Sequence, residues 1–351
     1  MSDFEKNGQV TEGATTELAS DEMTPKEKKE EKKEEKKAQE KRESREEFKE
    51  WLFFQKKELV KNFNIVKQLV IKSVKVQYRN SVIGIFWTIL NPLLNMLVMY
   101  LVFSNMFGRG GGTWVDGNTY TLYLLCGNIV FGMMRTATYQ ALPSLVYNRG
   151  LLTKNKMSYN VFPLANTLSA MVNFAFSFIA LLGVMLVVWI QGNAVFSWNI
   201  LLALVVLPAL FLFCYGLSLV LSALYTFFRD IMHFYNVFLT LWMYLTPIFY
   251  SVTMFEGKQG FLNKFMYIVV KCNPMTHFVD YFRNVVYRCS AHAGAIENIV
   301  AQGGIAPPEF IEAATLPGFG TVAMLYSIGI ISTLIGAIVF MCTKRKFIYN
   351  I

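Results

Sequence analysis

Six long apolar runs that contain no carboxylate constrain this chain more than any other feature of its sequence. A helix that crosses a bilayer needs about 20 mostly apolar residues. Runs of that length predict spans near 83–107, 120–142, 161–190, 200–228, 231–250 and 321–342. Only 16% of the 351 residues are charged, against about 25% in a typical soluble domain. The predicted fold is an all-α integral membrane protein with six transmembrane helices.

The segments outside these runs predict a different organisation at each end. Residues 1–50 hold 16 of the chain's 24 acidic side chains, mixed with lysines, and predict a disordered charged cytoplasmic tail. In 51–82, apolar residues recur at helical spacing among lysines, which predicts an amphipathic interfacial helix. Residues 83–351 form the predicted six-helix domain. Within the predicted outer segment 251–320, residues 261–270 and 274–287 predict short helices before the last span, and 290–318 predicts an extracellular loop or a small insertion.

Basic residues predict the orientation, because cytoplasmic loops are enriched in lysine and arginine. They flank the first, third and fifth spans at one end and follow the last span, as Lys344, Arg345 and Lys346. The short opposite loops carry only Arg109. With no cleavable signal peptide in view, we expect a multi-pass protein of the cell membrane with both termini cytoplasmic.

Motifs for catalysis are missing from the sequence. There is no G-x-x-x-x-G-K-[ST] loop, no H-E-x-x-H and no D-x-D pair, so we expect no enzyme, no metal site and no ATP site in this chain. The spans hold no Asp or Glu, which argues against an ion-coupled carrier. Energy is expected to come from a partner. The net charge of +9 suits membrane lipids rather than nucleic acid, because the apolar runs dominate.

Several residues within the spans leave two interpretations open. Arg135 lies inside the second span, where it either faces a polar cavity and meets a phosphate of the cargo, or snorkels to the interface. Aromatic residues of the first and fifth spans either line a sugar conduit or form ordinary packing and interface belts: Trp87, Tyr100, Phe103, Trp242 and Tyr244. Cys272 and Cys289, seventeen positions apart, pair only if their segment faces an oxidising exterior.

Four motifs, in order along the chain, resemble one family. Residues 75–93, KVQYRNSVIGIFWTILNPL, resemble the opening signature of the permease subunits of type-2 ABC exporters. The similarity is to the branch that exports O-antigen, capsular polysaccharide and teichoic acid. Residues 148–163 resemble that family's loop between the second and third spans, 228–231 with 242–250 its fourth-to-fifth turn and fifth span, and 273–283 its Asn-Pro gate segment.

The resemblance implies a homodimeric permease with two separate ATPase subunits, which bind ATP and Mg and drive a lipid-linked glycan outward. The loop that couples to the ATPase would use Leu151, Leu152, Thr153, Lys154, Lys156, Met157 and Tyr159, with Gly150 as its hinge. The lipid headgroup would enter at Lys75, Tyr78, Arg79 and Arg135. The extracellular gate would contain Asn273, Pro274, His277, Asp280 and Arg283.

Three other functions stay open at this point. A type-2 ABC permease for a drug or small lipid would share the fold. A membrane acyltransferase would need a catalytic residue at membrane depth, for which His233 is the candidate. A membrane scaffold would need no ATPase, and the similarity of residues 148–163 to a coupling loop speaks against it.

Overall fold

The computed structural model describes residues 62–76, 84, 86–107, 117–154, 158–192, 195–252, 255, 260–302, 304–305, 311 and 314–350. The chain divides into two compact units, Met1–Phe63 and Asn64–Ile351. Only residues 62 and 63 of the first unit are described, so the predicted tail 1–50 lies outside the described residues. The second unit is helical, and no strand occurs among its described residues. The mostly helical part of the predicted fold is confirmed.

Twelve helices of four or more residues can be followed in the described parts of the chain. In chain order they are α1 (62–76), α2 (Phe86–Phe107), α3 (Gly117–Ala141), α4 (Ser144–Tyr147), α5 (Arg149–Lys154), α6 (Val161–Ile190), α7 (Ala203–Phe227), α8 (Ile231–Leu245), α9 (Phe261–Cys272), α10 (Pro274–Arg283), α11 (Cys289–Ala301) and α12 (Phe319–Asn350). A 3₁₀ turn, Trp198–Leu202, leads into α7, and a π-helical turn, Asn284–Arg288, joins α10 to α11.

Three described helices are long and apolar enough to cross a membrane. They are α6, the continuous stretch Trp198–Phe227, and Phe319–Thr343 of α12, with mean hydropathies of 2.4, 2.7 and 2.2. These match the third, fourth and sixth predicted spans. Helices α2 and α3 have 22 and 25 residues, whereas α8 has only 15.

Helix α3 is the centre of the helical unit. Residues 122, 124, 125 and 126 are fully buried, and α2, α6, α7, α8 and α10 all pack on it. Its sequence is less apolar than that of the three long helices, with Asn128, Arg135 and Thr138 inside it. A helix surrounded by protein can carry such residues, because neighbouring helices rather than lipid meet its polar groups.

Helix α8 ends five residues before the end of the predicted fifth span. The helix stops at Leu245, and residues 246–250 continue as turns. Pro247 lacks the backbone N–H that would continue the helix, and it disfavours helical angles at Thr246. Thr246 is indeed extended, with ψ 131°. The run 231–250 therefore predicted the segment but not the break within it.

Helices α7 and α12 form the most extensive helix pair of the described chain, and glycines bring them together. A Cβ atom added at Gly216 would overlap the backbone carbonyl of Ser332, and one added at Gly336 would overlap the backbone oxygen of Gly216. Ser332 and Thr333 donate hydrogen bonds to carbonyl oxygens of α7, at 3.0 and 2.8 Å. Close backbone approach with such bonds is a typical way of joining helices in membranes.

One end of the bundle gathers most of the segments that were predicted to be cytoplasmic. A cluster around Leu145 and Phe162 includes the ends of α7 and α12, together with Leu152 of α5 and Leu69 of α1. Helix α1 also packs on α6 through Val66. The predicted interfacial helix 51–82 is thus present as 62–76, while 51–61, 77–83 and 85 lie outside the described residues.

The segment 251–320, which was predicted to lie outside the membrane, is more helical than predicted. Helices α9 and α10 match the two predicted short helices. Residues 290–318 were predicted to be a loop or a small insertion, and α11 covers Cys289–Ala301. The loop interpretation does not hold for that part, because alanine, which is abundant there, is the best helix former. Cys272 and Cys289 are both free, and the Cys289 thiol donates to the carbonyl of Ala314.

Candidate functional site

The predicted coupling loop contains a short exposed helix, α5. Leu151 and Tyr147 project outward, with 38% and 74% of their surfaces exposed. Leu152 and Tyr159 face the other way and pack on the Leu145 cluster. The loop therefore has one apolar side that anchors it and one that is available to a partner. The side chains of Thr153 and Lys154, and all of Lys156 and Met157, lie outside what the structure describes.

Gly150 does not have the special backbone expected of it. It lies within α5, and the glycines with positive φ in the described chain are Gly84, Gly192 and Gly260. A Cβ atom at Gly150 would meet nothing within 4 Å. In this structure the position has helical backbone angles that other residues also adopt, so the hinge role of Gly150 stays a prediction.

The predicted headgroup entry borders a cleft of about 480 Å³ beneath α1. Lys75 is exposed on α1, while Tyr78 and Arg79 lie outside the described residues. The cation that lines the cleft is Lys72, with Ser73, Gln140 and Asn166 among its neighbours. The side-chain oxygen of Gln140 is buried, and no donor among the described residues reaches it. Lys72 was missed, although it lies about one helical turn before Lys75.

Arg135 lies on a second, separate polar cavity of about 290 Å³. The cavity lies between α2, α3 and α6, and asparagines from all three helices line it. The Arg135 side chain is exposed at this cavity. Of the two interpretations open from the sequence, the polar cavity is the one that this geometry favours. The structure thus separates Arg135 from Lys75, with which it had been grouped.

The predicted conduit aromatics do not share one environment. Trp87 and Tyr244 are 42% and 57% exposed. The side chains of Tyr100 and Phe103 are not among those that the structure describes. Trp242 is partly buried between Phe213 and Phe238, whose ring centroids lie 6.4 and 5.2 Å from its own. Trp242 is therefore a packing residue, whereas Trp87 and Tyr244 remain available to line a conduit.

Asn273 joins the end of α8 to the start of α10. Its side-chain oxygen accepts the indole N–H of Trp242 at 2.8 Å and the backbone N–H of Met275 at 3.0 Å, which caps α10. Its amide nitrogen donates to the hydroxyl of Thr246 at 3.0 Å. Pro274 follows at the first helical position, where its missing N–H costs nothing. The Asn-Pro motif therefore fixes α10 against the broken end of α8.

Arg283, at the other end of α10, is completely buried. Its guanidinium donates hydrogen bonds to three backbone carbonyls, those of Tyr123, Pro247 and Ile248, at 3.1, 2.7 and 3.1 Å. It also lies over the Tyr123 ring, 3.4 Å from the centroid. A buried cation is costly unless hydrogen bonds replace its hydration. Here two of the three hydrogen bonds are accepted by carbonyls that the break after α8 leaves available, those of Pro247 and Ile248.

Gly127 makes room for this guanidinium. A Cβ atom at Gly127 would lie 2.6 Å from Nη2 of Arg283 and 3.2 Å from the Ile248 side chain. The hydroxyls of Tyr120 and Tyr123 also reach the break, where they donate to the carbonyls of Phe249 and Tyr250. Helix α3 thus supplies a ring of donors around residues 247–250. We call Gly127, Tyr120, Tyr123, Arg283 and residues 247–250 the arginine junction.

The remaining predicted gate residues, His277 and Asp280, lie on α10. His277 bonds the carbonyl of Lys271 through Nε2, at 2.8 Å, and Asp280 is partly buried on α10. In the next helix, burial of the His292 ring lowers its pKa below the ordinary value, so the ring is neutral at neutral pH. No group of three or more His, Cys, Asp or Glu residues in the described ranges could hold a metal ion.

The functional residues that the sequence did not reveal follow two patterns. Tyr120, Tyr123 and Gly127 lie on one face of α3 at helical spacing, but only the fold shows what they meet. Asparagines at four-residue spacing in the first span, Asn91 and Asn95, were a visible signal. Amides are costly in lipid, so their repetition on one face indicates a shared polar environment.

Taken together, the three long apolar helices and the helices packed around α3 define an integral membrane protein. Residues 65–287 match the profile of the family described as ABC-2 type transporter, which covers well over half of the chain. The protein belongs to the ABC-2 transporter family.

Two curated relatives are similar over most of their length. The O-antigen export system permease protein RfbA of Klebsiella pneumoniae is 24% identical over 285 residues, which cover 81% of this chain and 94% of the relative. The protein of the same name from Myxococcus xanthus is 26% identical over 231 residues, 66% of this chain and 83% of the relative.

Proposed function

We propose that this chain is the permease subunit of an ATP-driven exporter that moves a lipid-linked polysaccharide across the cytoplasmic membrane. The observation that carries the proposal is the similarity to O-antigen export permeases over 81% of the chain. The cargo belongs to the class that includes O-antigen, capsular and teichoic-acid polymers. The chain itself would catalyse no reaction, and a separate ATPase would bind ATP and Mg.

The proposed membrane arrangement has six spans, formed by α2, α3, α6, α7, α8 and α12. Both termini are cytoplasmic, with α1 in the inner interface and α9–α11 at the outer surface. Helix α8 is short for a span, but residues 246–250 extend it within the arginine junction. A polymer needs a wider path than one such bundle encloses, so we propose a homodimer.

The ATPase would dock on α5. Leu151 is exposed beside the partly buried Leu152, so a partner could contact α5 without unpacking it. ATP-driven movement of the docked subunit would then pass through the Leu145 cluster to the ends of α7 and α12, because Leu219 and Phe340 belong to that cluster. The cleft under α1, with Lys72, offers a cation at the depth of lipid phosphates.

Affinity purification from native membranes in mild detergent, followed by mass spectrometry, tests the proposal. We expect an ABC ATPase to be recovered in equal amount with the wild-type chain and to be lost from Leu151→Glu. Ile305→Glu, at a position 97% exposed and far from α5 in sequence, is the matched control and should retain the ATPase. A well-folded chain that recovers no ATPase under crosslinking would contradict the exporter assignment.

A deletion strain identifies the cargo. Loss of surface polysaccharide, restored by the wild-type gene and not by Leu151→Glu, is the expected result. Unchanged polysaccharide together with increased drug sensitivity would instead assign the chain to the permeases for drugs or small lipids.

A further inference from the structure

The polar cavity at Arg135 is built by three helices that each contribute polar side chains to one face. Helix α2 supplies Asn91 and Asn95, α3 supplies Asn128 and Arg135, and α6 supplies Asn173 and Ser177. The members of each pair are four or seven positions apart, which places them on the same side of a helix. The convergence of three such faces is a feature of the fold.

Much of the hydrogen-bonding capacity of this cavity is unused. Asn95 donates to Asn91 at 3.3 Å, and the Ser177 hydroxyl donates to a backbone carbonyl of its own helix. The side-chain oxygen of Asn173 is buried and accepts no hydrogen bond from the residues that the structure describes. Within the described part of the chain, no hydrogen bond or ion pair is formed by the Arg135 guanidinium. Amides and a cation at membrane depth are costly in this state, so the cavity is suited to a polar ligand.

The donors and acceptors define the chemistry of that ligand. Carboxamides both donate and accept, which matches the hydroxyls of a sugar. An arginine provides a planar set of donors, which matches a phosphate. The volume of about 290 Å³ lies at the lower end of small-molecule sites, so it admits one sugar unit rather than an oligosaccharide.

We propose that this cavity is a recognition site for a single sugar unit that carries a phosphate, with the amides on the hydroxyls and Arg135 on the phosphate. The inference rests on the proposed export function and adds a cargo-recognition step to it. The phosphorylated sugar has two sources, the sugar joined to the lipid diphosphate and a phosphate-bearing unit further along a polymer.

Binding to the full chain in nanodiscs tests the site. Hexose 1-phosphates and the matching methyl glycosides are titrated by ligand-observed saturation-transfer NMR, which detects weak binding. The phosphorylated sugar should bind at least tenfold more tightly than its glycoside. Arg135→Gln should weaken the phosphate form by about 10- to 100-fold and leave the glycoside within twofold, while Asn128→Leu should weaken both.

Two matched controls remove a residue of the same type outside the cavity. Arg229→Gln, at the exposed turn between α7 and α8, and Asn236→Leu, on the exposed side of α8, should leave every affinity within twofold. If Arg135→Gln does not fold, competition on the wild type decides: inorganic phosphate should displace the hexose phosphate and spare the glycoside. Equal affinities for the two sugar forms, or an equal loss in Arg229→Gln, would overturn the proposal.

The two sources are separated by competition. Displacement by a prenyl-diphosphate-linked sugar in the nanodisc assigns the site to the lipid end, displacement by soluble phosphate-bearing oligosaccharides assigns it to the polymer, and displacement by neither contradicts it. If an ATPase associates with α5 but no hexose phosphate binds, only the cavity assignment fails. If no ATPase associates, the exporter assignment fails whatever the cavity binds.

Discussion

Replacing Arg283 with methionine should destabilise the protein more than any other single arginine substitution in the described chain. Methionine keeps much of the side-chain volume but removes the guanidinium that holds α3, α10 and the broken end of α8 together. Three carbonyl oxygens lose a charged donor in one step. The variant therefore isolates the hydrogen-bonding role of the arginine junction from its packing.

The expected loss of stability in Arg283→Met depends on the hydrogen bonds that each of the three carbonyls retains. A hydrogen bond from a charged group contributes about 1.5–3 kcal/mol. The Tyr123 carbonyl stays within α3. The Pro247 carbonyl still accepts a hydrogen bond from the Tyr123 hydroxyl. The Ile248 carbonyl keeps no other hydrogen bond from the described residues, so it bears the full cost. We expect a loss of about 3–5 kcal/mol in the free energy of unfolding, equivalent to roughly 6–12 °C in melting temperature.

Thermal unfolding of the detergent-purified protein, followed by loss of the monodisperse peak, measures this. Arg229→Met, which removes an exposed arginine, should shift melting by less than about 1 °C. A double-mutant cycle adds a second test, because Gly127→Ala forces a Cβ atom to within 2.6 Å of Nη2 in the wild type. The alanine should cost about 1–3 kcal/mol alone and less than half of that in the Arg283→Met background, where the guanidinium is gone. An Arg283→Met melting temperature within about 2 °C of wild type, or strict additivity in the cycle, would refute the reasoning.

Three further predictions concern other parts of the chain. Gly216→Ala should lower stability by about 2 kcal/mol or more, because its Cβ atom would overlap the Ser332 carbonyl, whereas Gly183→Ala, which meets nothing within 4 Å, should be neutral or stabilising in the same melting assay. Asn273→Ala should cost about 1–2 kcal/mol through the lost helix cap and reduce export, while Asn236→Ala should do neither; full export by a folded Asn273→Ala variant would contradict the role given to the Asn-Pro motif. A membrane-impermeant maleimide added to spheroplasts should label the exposed Cys272 and not the buried Cys289, so labelling should be lost in Cys272→Ser and kept in Cys289→Ser. Absence of labelling at Cys272 in the wild-type chain would contradict the proposed orientation of α9.

The sequence predicted most of the helices, but it said less about the breaks and contacts between them. Apolar runs located α6, α7 and α12 because a lipid-facing helix must be apolar along its whole length. The same criterion could not find the break after α8, since 246–250 is as apolar as the helix before it. Only Pro247 marked the position, and proline within a membrane helix is compatible with both a break and an unbroken span.

Site residues show a similar limit. The motif around Asn273 and Arg283 could be recognised in the sequence, but the carbonyls that Arg283 meets lie 160 and 35 positions away, and no periodicity connects them. Trp242 was expected to face a conduit because aromatic residues are suited to sugars. Its indole N–H is instead bonded to Asn273, 31 positions later. Pairings between distant segments depend on the packing of α3, which a linear pattern does not encode.

The glycine contact between α7 and α12 has a consequence for biosynthesis. Helix α12 leaves the ribosome after α7, so α7 is first present without it, with an open groove at Gly216 and with the Leu212 and Phe213 carbonyls that Thr333 and Ser332 later bind. A nascent chain that ends before Phe319 would present this groove to the lipid and to quality-control proteases. The groove on α7 is thus closed only after α12 has been made and packs against it.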